Sequence, residues 1–282
     1  MEHLDGFAPL AARYRGFIVD LWGVVHDGVT PYPGATDCLR RLRASGRRVV
    51  LLSNAPRRAA AAAAGLLGMG IGADLYAGLV TSGEVTHARL RDRDTPDFAA
   101  LGHRLWHIGP ERDRNVFAGL DYTEAARPAA ADFVLNTGPD DTRTPTLVDP
   151  WHEELAACRA AGLPMICANP DLEVIRGGRR LICAGALALH YLALGGRVLW
   201  VGKPDPLVYR PVLALLGTPP EEVLAVGDAL RTDIAGAAAA GVASCWVLGG
   251  IHGAELNGPD AAAAAARAAG LNPVATLPAF RW

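Results

Sequence analysis

Lysine is nearly absent from this chain. Of 27 basic residues in 282, one is a lysine, Lys203, and the rest are arginines. With 29 acidic residues the formal net charge is −2, which argues against a nucleic-acid surface. Local pairs such as Arg40-Arg41 and Arg47-Arg48 read as solvated helix ends. Cysteine is sparse and odd in number: Cys38, Cys158, Cys167, Cys183 and Cys245 are widely spaced with no CxxC pair. That excludes a disulfide framework and predicts buried free thiols in a reducing compartment. Long apolar runs are missing too. The stretch Ala59 to Ala64 passes into Gly65, Gly68, Gly70 and Gly72, too broken to span a bilayer. Met1-Glu2-His3-Leu4-Asp5 has no basic region or long apolar core, so the expectation is a cytoplasmic protein without a secretory signal or membrane partner.

What is present is a hydrophobic fraction of 51%, much of it alanine, which adds helix propensity more than core volume. The length suits one large or two modest domains. Phe17-Ile18-Val19-Asp20 and Arg48-Val49-Val50-Leu51-Leu52-Ser53 are apolar runs that read as buried strands. Between them Thr36 to Ala44 predicts a helix with Cys38, Leu39 and Leu42 on one face, closed by Gly46. Leu79-Val80-Thr81-Ser82 predicts a further strand. The same grammar returns late: strands at Arg197 to Gly202, Val223 to Asp228 and Ala243 to Leu248, helices at Pro206 to Leu216 and Asp233 to Ala240, and a closing helix over Ala261 to Ala266. Strands that alternate with helices and read as continuous apolar runs predict a parallel, doubly wound α/β sheet built from both ends of the chain. The middle has its own alternation, with strands at Arg104 to Gly109, Phe133 to Thr137 and Pro164 to Asn169, and predicts an inserted α/β domain. The expected organisation is core 1–83, insert 84–193 and core 194–282.

Three carboxylates fall at or just after strand ends: Asp20, Asp228 and Asp233. Open parallel sheets bind ligands at that edge. Convergent carboxylates repel unless a cation sits among them, and an all-oxygen site suits Mg²⁺. Asp233 reads equally as a helix N-cap. Lys203 follows an apolar run and precedes Pro204 and Pro206, so its ammonium projects from a rigid edge and could neutralise a phosphate. Ser53 and Asn54 end a strand ahead of a helix, where a hydroxyl and free N–H groups form a phosphate cradle or an ordinary cap.

In this order, Asp20-x-x-Gly23-Val24, Ser53-Asn54, Gly202-Lys203-Pro204 and Gly227-Asp228-x-x-x-x-Asp233 resemble the haloacid dehalogenase (HAD) superfamily over nearly the whole chain. The large insert, with Ala168-Asn169-Pro170-Asp171 and Gly185-Ala186-Leu187 near its end, resembles the class IIA (C2-type) cap of sugar-phosphate, nitrophenyl-phosphate and pyridoxal-phosphate phosphatases. The resemblance implies a Rossmann-like core and Asp20 as the nucleophile that forms an aspartyl-phosphate. It implies Ser53 and Lys203 on the phosphoryl oxygens, with Asn54 beside them. Mg²⁺ would be held by Asp20, Asp228 and the backbone carbonyl of Trp22, with Asp233 in support, and Asn169, Pro170 and Asp171 would face the leaving group. It also implies a small phosphorylated metabolite as substrate, and a homodimer through caps that often pair.

One position departs. The family's phosphatases carry an aspartate where this chain has Trp22, and that aspartate protonates the leaving oxygen and then activates water. Loss of a general acid/base typically costs about 10²–10⁴-fold in rate, and an indole N–H cannot replace it. His26 and Asp27, in the loop before Gly28, are candidates for a relocated acid/base or a flap; the alternative for Asp27-Gly28 is a plain chain reversal. Three functions follow: a Mg²⁺-dependent phosphatase, impaired or with a relocated acid; a related chemistry of dehalogenase or phosphonatase type; or a phosphometabolite-binding protein without turnover.

Overall fold

The computed structural model describes residues 1–251, 253 and 258–282. The apolar runs near the two ends form one seven-stranded sheet, all of whose pairs are parallel. Its order is Glu2–His3, Ala275–Leu277, Ala243–Val247, Val223–Gly227, Gly16–Val19, Arg48–Ser53, Gly78–Thr81. Side chains alternate across it. Phe17, Val19, Val49 and Leu51 pack with Phe7, Leu39 and Leu42 on one face. Ile18, Val50 and Leu52 pack with Val208, Val212 and Leu216 on the other. Both faces are therefore dry, which is why the strands read as unbroken apolar runs.

Helix Ala35–Ala44 buries Ala35, Cys38, Leu39 and Leu42, the i, i+3, i+4, i+7 stripe expected of a helix lying on a sheet. The alanine-rich helices are Ala59–Gly68 and Pro259–Ala268. All five cysteines are free and buried.

The middle of the chain builds a second, five-stranded parallel sheet in the order Arg197–Trp200, Pro164–Cys167, Phe133–Asn136, Arg104–Ile108, Thr123–Glu124. An antiparallel hairpin, Glu173–Arg176 with Arg179–Ile182, stands beside it. The strand Arg197–Trp200 was expected in the core sheet and belongs here instead. Val198 and Trp200 pack against the cluster that contains Leu155, Leu187 and Tyr191. A four-residue apolar run carries no information about which sheet it joins, and only past Trp200 does the chain return to the core.

Two further expectations change. Asp233 does not start the helix: a π-helical turn, Leu230–Ile234, precedes helix Ala235–Ala239. Ser53 and Asn54 do not stand at a helix start either, because the next helix begins at Ala59, beyond a loop containing Pro56.

Candidate active site

From Gly16–Val19 the chain winds outward through Arg48–Ser53 on one side, and it returns through Val223–Gly227 on the other. This reversal of winding opens a crevice at the carboxyl ends of adjacent strands. Asp20, Ser53 and Asp228 are the residues that follow or end these three strands, and all three are buried.

Lys203 enters the same crevice. Its Nζ donates to Asp20 Oδ1 at 2.6 Å, to Asp233 Oδ1 at 2.6 Å and to the Leu52 carbonyl at 3.1 Å. Asp233 in turn accepts from Ala229 N–H at 3.1 Å through its other oxygen. Asp228 Oδ2 accepts from Ile251 N–H at 2.6 Å, and its carbonyl accepts from Trp246 Nε1 at 2.8 Å.

The electrostatics are those of a site short of positive charge. Burial pushes Asp20 up to about 8 against the pull of Lys203, with Asp233 adding repulsion. Burial and then repulsion from Asp20 and Asp233 raise Asp228 well above the carboxylate range. Burial pulls Lys203 down, but Asp20, Asp233 and Asp171 outweigh it and raise the ammonium well above its ordinary value.

Oxygens of Asp20, Asp228 and Asp233 lie within 4.8 Å of one another. Lys203 serves two of these carboxylates, and among the described residues no cation pairs with Asp228. The backbone makes room around it. A Cβ on Gly23 (φ +80°) would stand 1.8 Å from Asp228 Oδ2, and one on Gly250 would stand 2.1 Å away. Hard oxygen donors, uncompensated negative charge and a cradle kept open by glycine together fit a Mg²⁺ site.

Asn54 ties the crevice to the inserted domain. Its Oδ1 accepts from Lys203 N–H at 2.7 Å and Ser82 Oγ at 3.1 Å, while its Nδ2 donates to Asp171 Oδ1 at 2.9 Å. Asn169 Oδ1 accepts from Asp171 N–H at 3.0 Å, and the Pro170 carbonyl accepts from Arg231. The Asn-Pro-Asp turn is thus held against the core from both sides. A cavity of about 190 Å³ is lined by Asp20, Ser53, Asp171, Lys203, Asp228 and Asp233. A second, of about 250 Å³, lies between core and insert and shares Trp22, Asp171 and Val174 with the first.

Trp22 is half-buried and forms part of both walls. Gly28 (φ +82°) lets the loop close on it, since a Cβ there would stand 2.0 Å from the indole. His26 meets Trp22 edge-to-face at 5.2 Å. His26 Nδ1 accepts from Gly28 N–H at 2.9 Å, and burial lowers the imidazole to about 4. Asp27 Oδ1 accepts from the N–H groups of Val29 and Thr30 at 2.9 and 2.8 Å, an Asx turn that reverses the chain. Neither residue lines either cavity.

Sequence reasoning missed Arg231, Ser82 and Ile251. Arg231 sits within the quoted Asp228–Asp233 stretch, so its place was legible although its reach to Pro170 was not. Ile251 contributes a backbone N–H, which no side-chain pattern announces. Gly202, quoted with Lys203 and Pro204, has a structural reason: at φ +131° a Cβ would stand 2.2 Å from Ser82 Oγ and 2.6 Å from Asn54 Oδ1. Among the described residues no helix is long and apolar enough to cross a membrane.

Comparison with known proteins agrees with this geometry. A haloacid dehalogenase-like hydrolase family model matches residues 17–123, and a HAD-hydrolase-like model matches residues 200–271. The chain is 30% identical over 246 residues to the ribonucleotide monophosphatase NagD of Escherichia coli K12, covering 84% of this chain and 88% of that one. It is 29% identical over 240 residues to the sugar-phosphatase AraL of Bacillus subtilis, with 83% of each covered. A haloacid dehalogenase-like hydrolase from Brucella suis 1330 superposes with a TM-score of 0.83 at 34% identity, covering 98% of this chain and 99% of that one. The ordered motifs, the strand-end carboxylates around Lys203 and these likenesses agree: the chain belongs to the haloacid dehalogenase superfamily of hydrolases, in its class IIA phosphatase branch.

Proposed function

We propose that the protein is a Mg²⁺-dependent phosphomonoesterase that acts on a small phosphorylated metabolite, with Asp20 as its nucleophile. The observation that carries this reading is the contact of Lys203 with both Asp20 and Asp233 beside Asp228, which has no cation partner among the described residues. Bound Mg²⁺, held by Asp20, Asp228 and the Trp22 carbonyl, would offset the charge of the phosphoryl oxygens. The names of NagD and AraL, a ribonucleotide monophosphatase and a sugar-phosphatase, support the substrate class.

In the first half-reaction an Asp20 carboxylate oxygen attacks phosphorus. The ester P–O bond breaks, and its electron pair and one proton go to the leaving oxygen. Lys203 holds Asp20 in line and, with Ser53, meets the phosphoryl oxygens; Asn54 fixes the Lys203 backbone. In the second half a water gives one proton back to the group that protonated the leaving oxygen and attacks phosphorus, the Asp20–phosphorus linkage breaks, and phosphate leaves with the carboxylate restored.

Position 22 is a tryptophan, so the proton for the leaving oxygen comes from another group. His26 and Asp27 are engaged within their own loop. Asp171 is the carboxyl group shared by both cavity walls, so the role of relocated acid falls to Asp171. Burial raises its carboxyl against the pull of Lys203 and the Asn54 hydrogen bond, the direction a general acid needs.

The test is phosphate release from p-nitrophenyl phosphate with MgCl₂ or with EDTA, for the native chain and Asp20→Asn. Mg²⁺-dependent release that Asp20→Asn abolishes is the expected result. No release under either condition would overturn the reading, and chloride release from a 2-haloacid would point to the dehalogenase alternative.

A further inference from the structure

The second cavity has a chemistry that hydrolysis of a simple phosphoester does not use. Four arginines reach it: Arg57 from the core loop, and Arg112, Arg143 and Arg176 from the inserted domain. Two of them are matched locally. Arg143 pairs with Asp140 and with Glu154, the latter at 2.7 Å, and Arg112 donates to both oxygens of Asp141 at 2.9 and 2.7 Å.

The other two are not matched. Arg57 has one carboxylate neighbour, Asp113, and their nearest atoms are 3.9 Å apart. The Arg57 Nε and Asp113 Oδ1 atoms at that contact are both buried without a hydrogen-bond partner. Arg176, exposed at the end of a hairpin strand, has no ion pair among the described residues. Asp171, the remaining carboxylate on this wall, already accepts from Asn54. Burial and the repulsion of Arg112 and Arg176 lower Arg57 despite Asp113. Like charges gathered around a cavity with a donor unfilled are arranged for an incoming anion.

The two cavities meet at Trp22, Asp171 and Val174. A substrate with its phosphoryl group beside Asp20 therefore extends its leaving group past the indole toward Arg57 and Arg176. We infer that the preferred substrates carry a second anionic group, a carboxylate or a second phosphate, on the leaving portion, and that Arg57 and Arg176 bind it. This rests on the phosphatase reading above and narrows its substrate class.

The experiment compares kcat/KM within matched pairs that differ in the second anion. The pairs are 3-phosphoglycerate against glycerol 3-phosphate, and fructose 1,6-bisphosphate against fructose 6-phosphate, with p-nitrophenyl phosphate as a common reference. The expected result is a preference of about 10- to 100-fold for the anionic member of at least one pair, the range carried by hydrogen bonds to a charged group. Which pair shows it distinguishes carboxylate from phosphate recognition. In Arg176→Gln and Arg57→Gln the ratio falls toward one, chiefly through KM, and Arg176→Lys restores part of it. Arg176 is exposed, so its variant tests the idea even if Arg57→Gln fails to fold.

Equal or better turnover of the members without the second anion, or a ratio unmoved by either arginine variant, would overturn the inference. Failure of the phosphatase reading looks different, because then the reference ester is not hydrolysed either.

Discussion

Lys203 Nζ lies 2.6 Å from Asp20 Oδ1, and both groups are almost wholly removed from solvent. A buried ion pair is weak evidence for stability, but removing one partner leaves an uncompensated charge. Lys203→Met is expected to lower stability by about 3–5 kcal/mol in EDTA, with part of the loss recovered in MgCl₂. Urea unfolding with and without the metal measures both effects. Equal stability of variant and native chain in EDTA would show that the carboxylates are already protonated.

Asp228 makes the opposite case. When ionised it repels Asp20 and Asp233, which helps raise its carboxyl, and among the described residues no cation pairs with it. Asp228→Asn is expected to raise the melting temperature in EDTA, where it relieves repulsion. The same variant loses the stabilisation that millimolar MgCl₂ confers on the native chain, since a ligand stabilises only the state that binds it. Thermal melts across a Mg²⁺ titration read both signs.

Gly23 and Gly28 occupy backbone that other residues adopt under strain, and both face a bulky neighbour. Gly23→Ala forces a methyl against Asp228, and Gly28→Ala forces one against Trp22. Each is expected to cost about 1–3 kcal/mol. They differ in activity: Gly23→Ala weakens Mg²⁺ dependence, whereas Gly28→Ala shifts KM through the indole. Kinetics over a range of MgCl₂ concentrations separate the two.

The proton donor is testable by leaving-group chemistry. Nitrophenolate departs with little need of a proton, and an alkoxide needs one. Asp171→Asn keeps an acceptor for Asn54 but has no proton to give, so turnover of alkyl phosphates should fall about 10²–10⁴-fold. The loss on p-nitrophenyl phosphate should be far smaller. Equal losses on both substrates would assign Asp171 to holding the Asn54 contact.

Acid stability follows from two buried imidazoles. Burial lowers both His26 and His107 from 6.5 to about 4. Between those values each imidazole is protonated in the unfolded chain and neutral in the folded one. Their contribution is therefore present above pH 6.5 and is lost as pH falls toward 4, at about 1.4 kcal/mol per pH unit for each group. His107→Gln keeps a polar partner for Thr137 Oγ1, which lies 2.9 Å from His107 Nε2. It should remove about 1.4 kcal/mol per pH unit from the slope between those values. Urea unfolding at pH 7, 5.5 and 4.5 gives the slope.

The strand-end residues were legible because a doubly wound sheet leaves a simple trace. Continuous apolar runs end in Asp20, Ser53 and Asp228, and their common edge follows from parallel pairing. Sheet membership was not legible, since Arg197–Trp200 has the same composition as a core strand. The π-helical turn at Asp233 was also hidden, as were the contacts of its side chain with Ala229 N–H and Lys203, because the local sequence announces neither. His26 and Asp27 show the same limit. Their distance in sequence from Trp22 suited a relocated acid, but hydrogen bonds within a short loop decide where they point. The pairing of Asn54 with Asp171 spans 117 positions and was invisible for that reason.

That the chain's one lysine lies at the centre of the crevice has a spectroscopic consequence. Growth on ¹⁵N-lysine labels a single side-chain amine, and that amine touches Asp20, Asp233 and the Leu52 carbonyl. One resonance would then follow metal loading, phosphate-mimic binding and any change of protonation among the neighbouring carboxylates. No other ammonium side chain exists to crowd the spectrum, so the scarcity of lysine turns the protein into its own active-site probe.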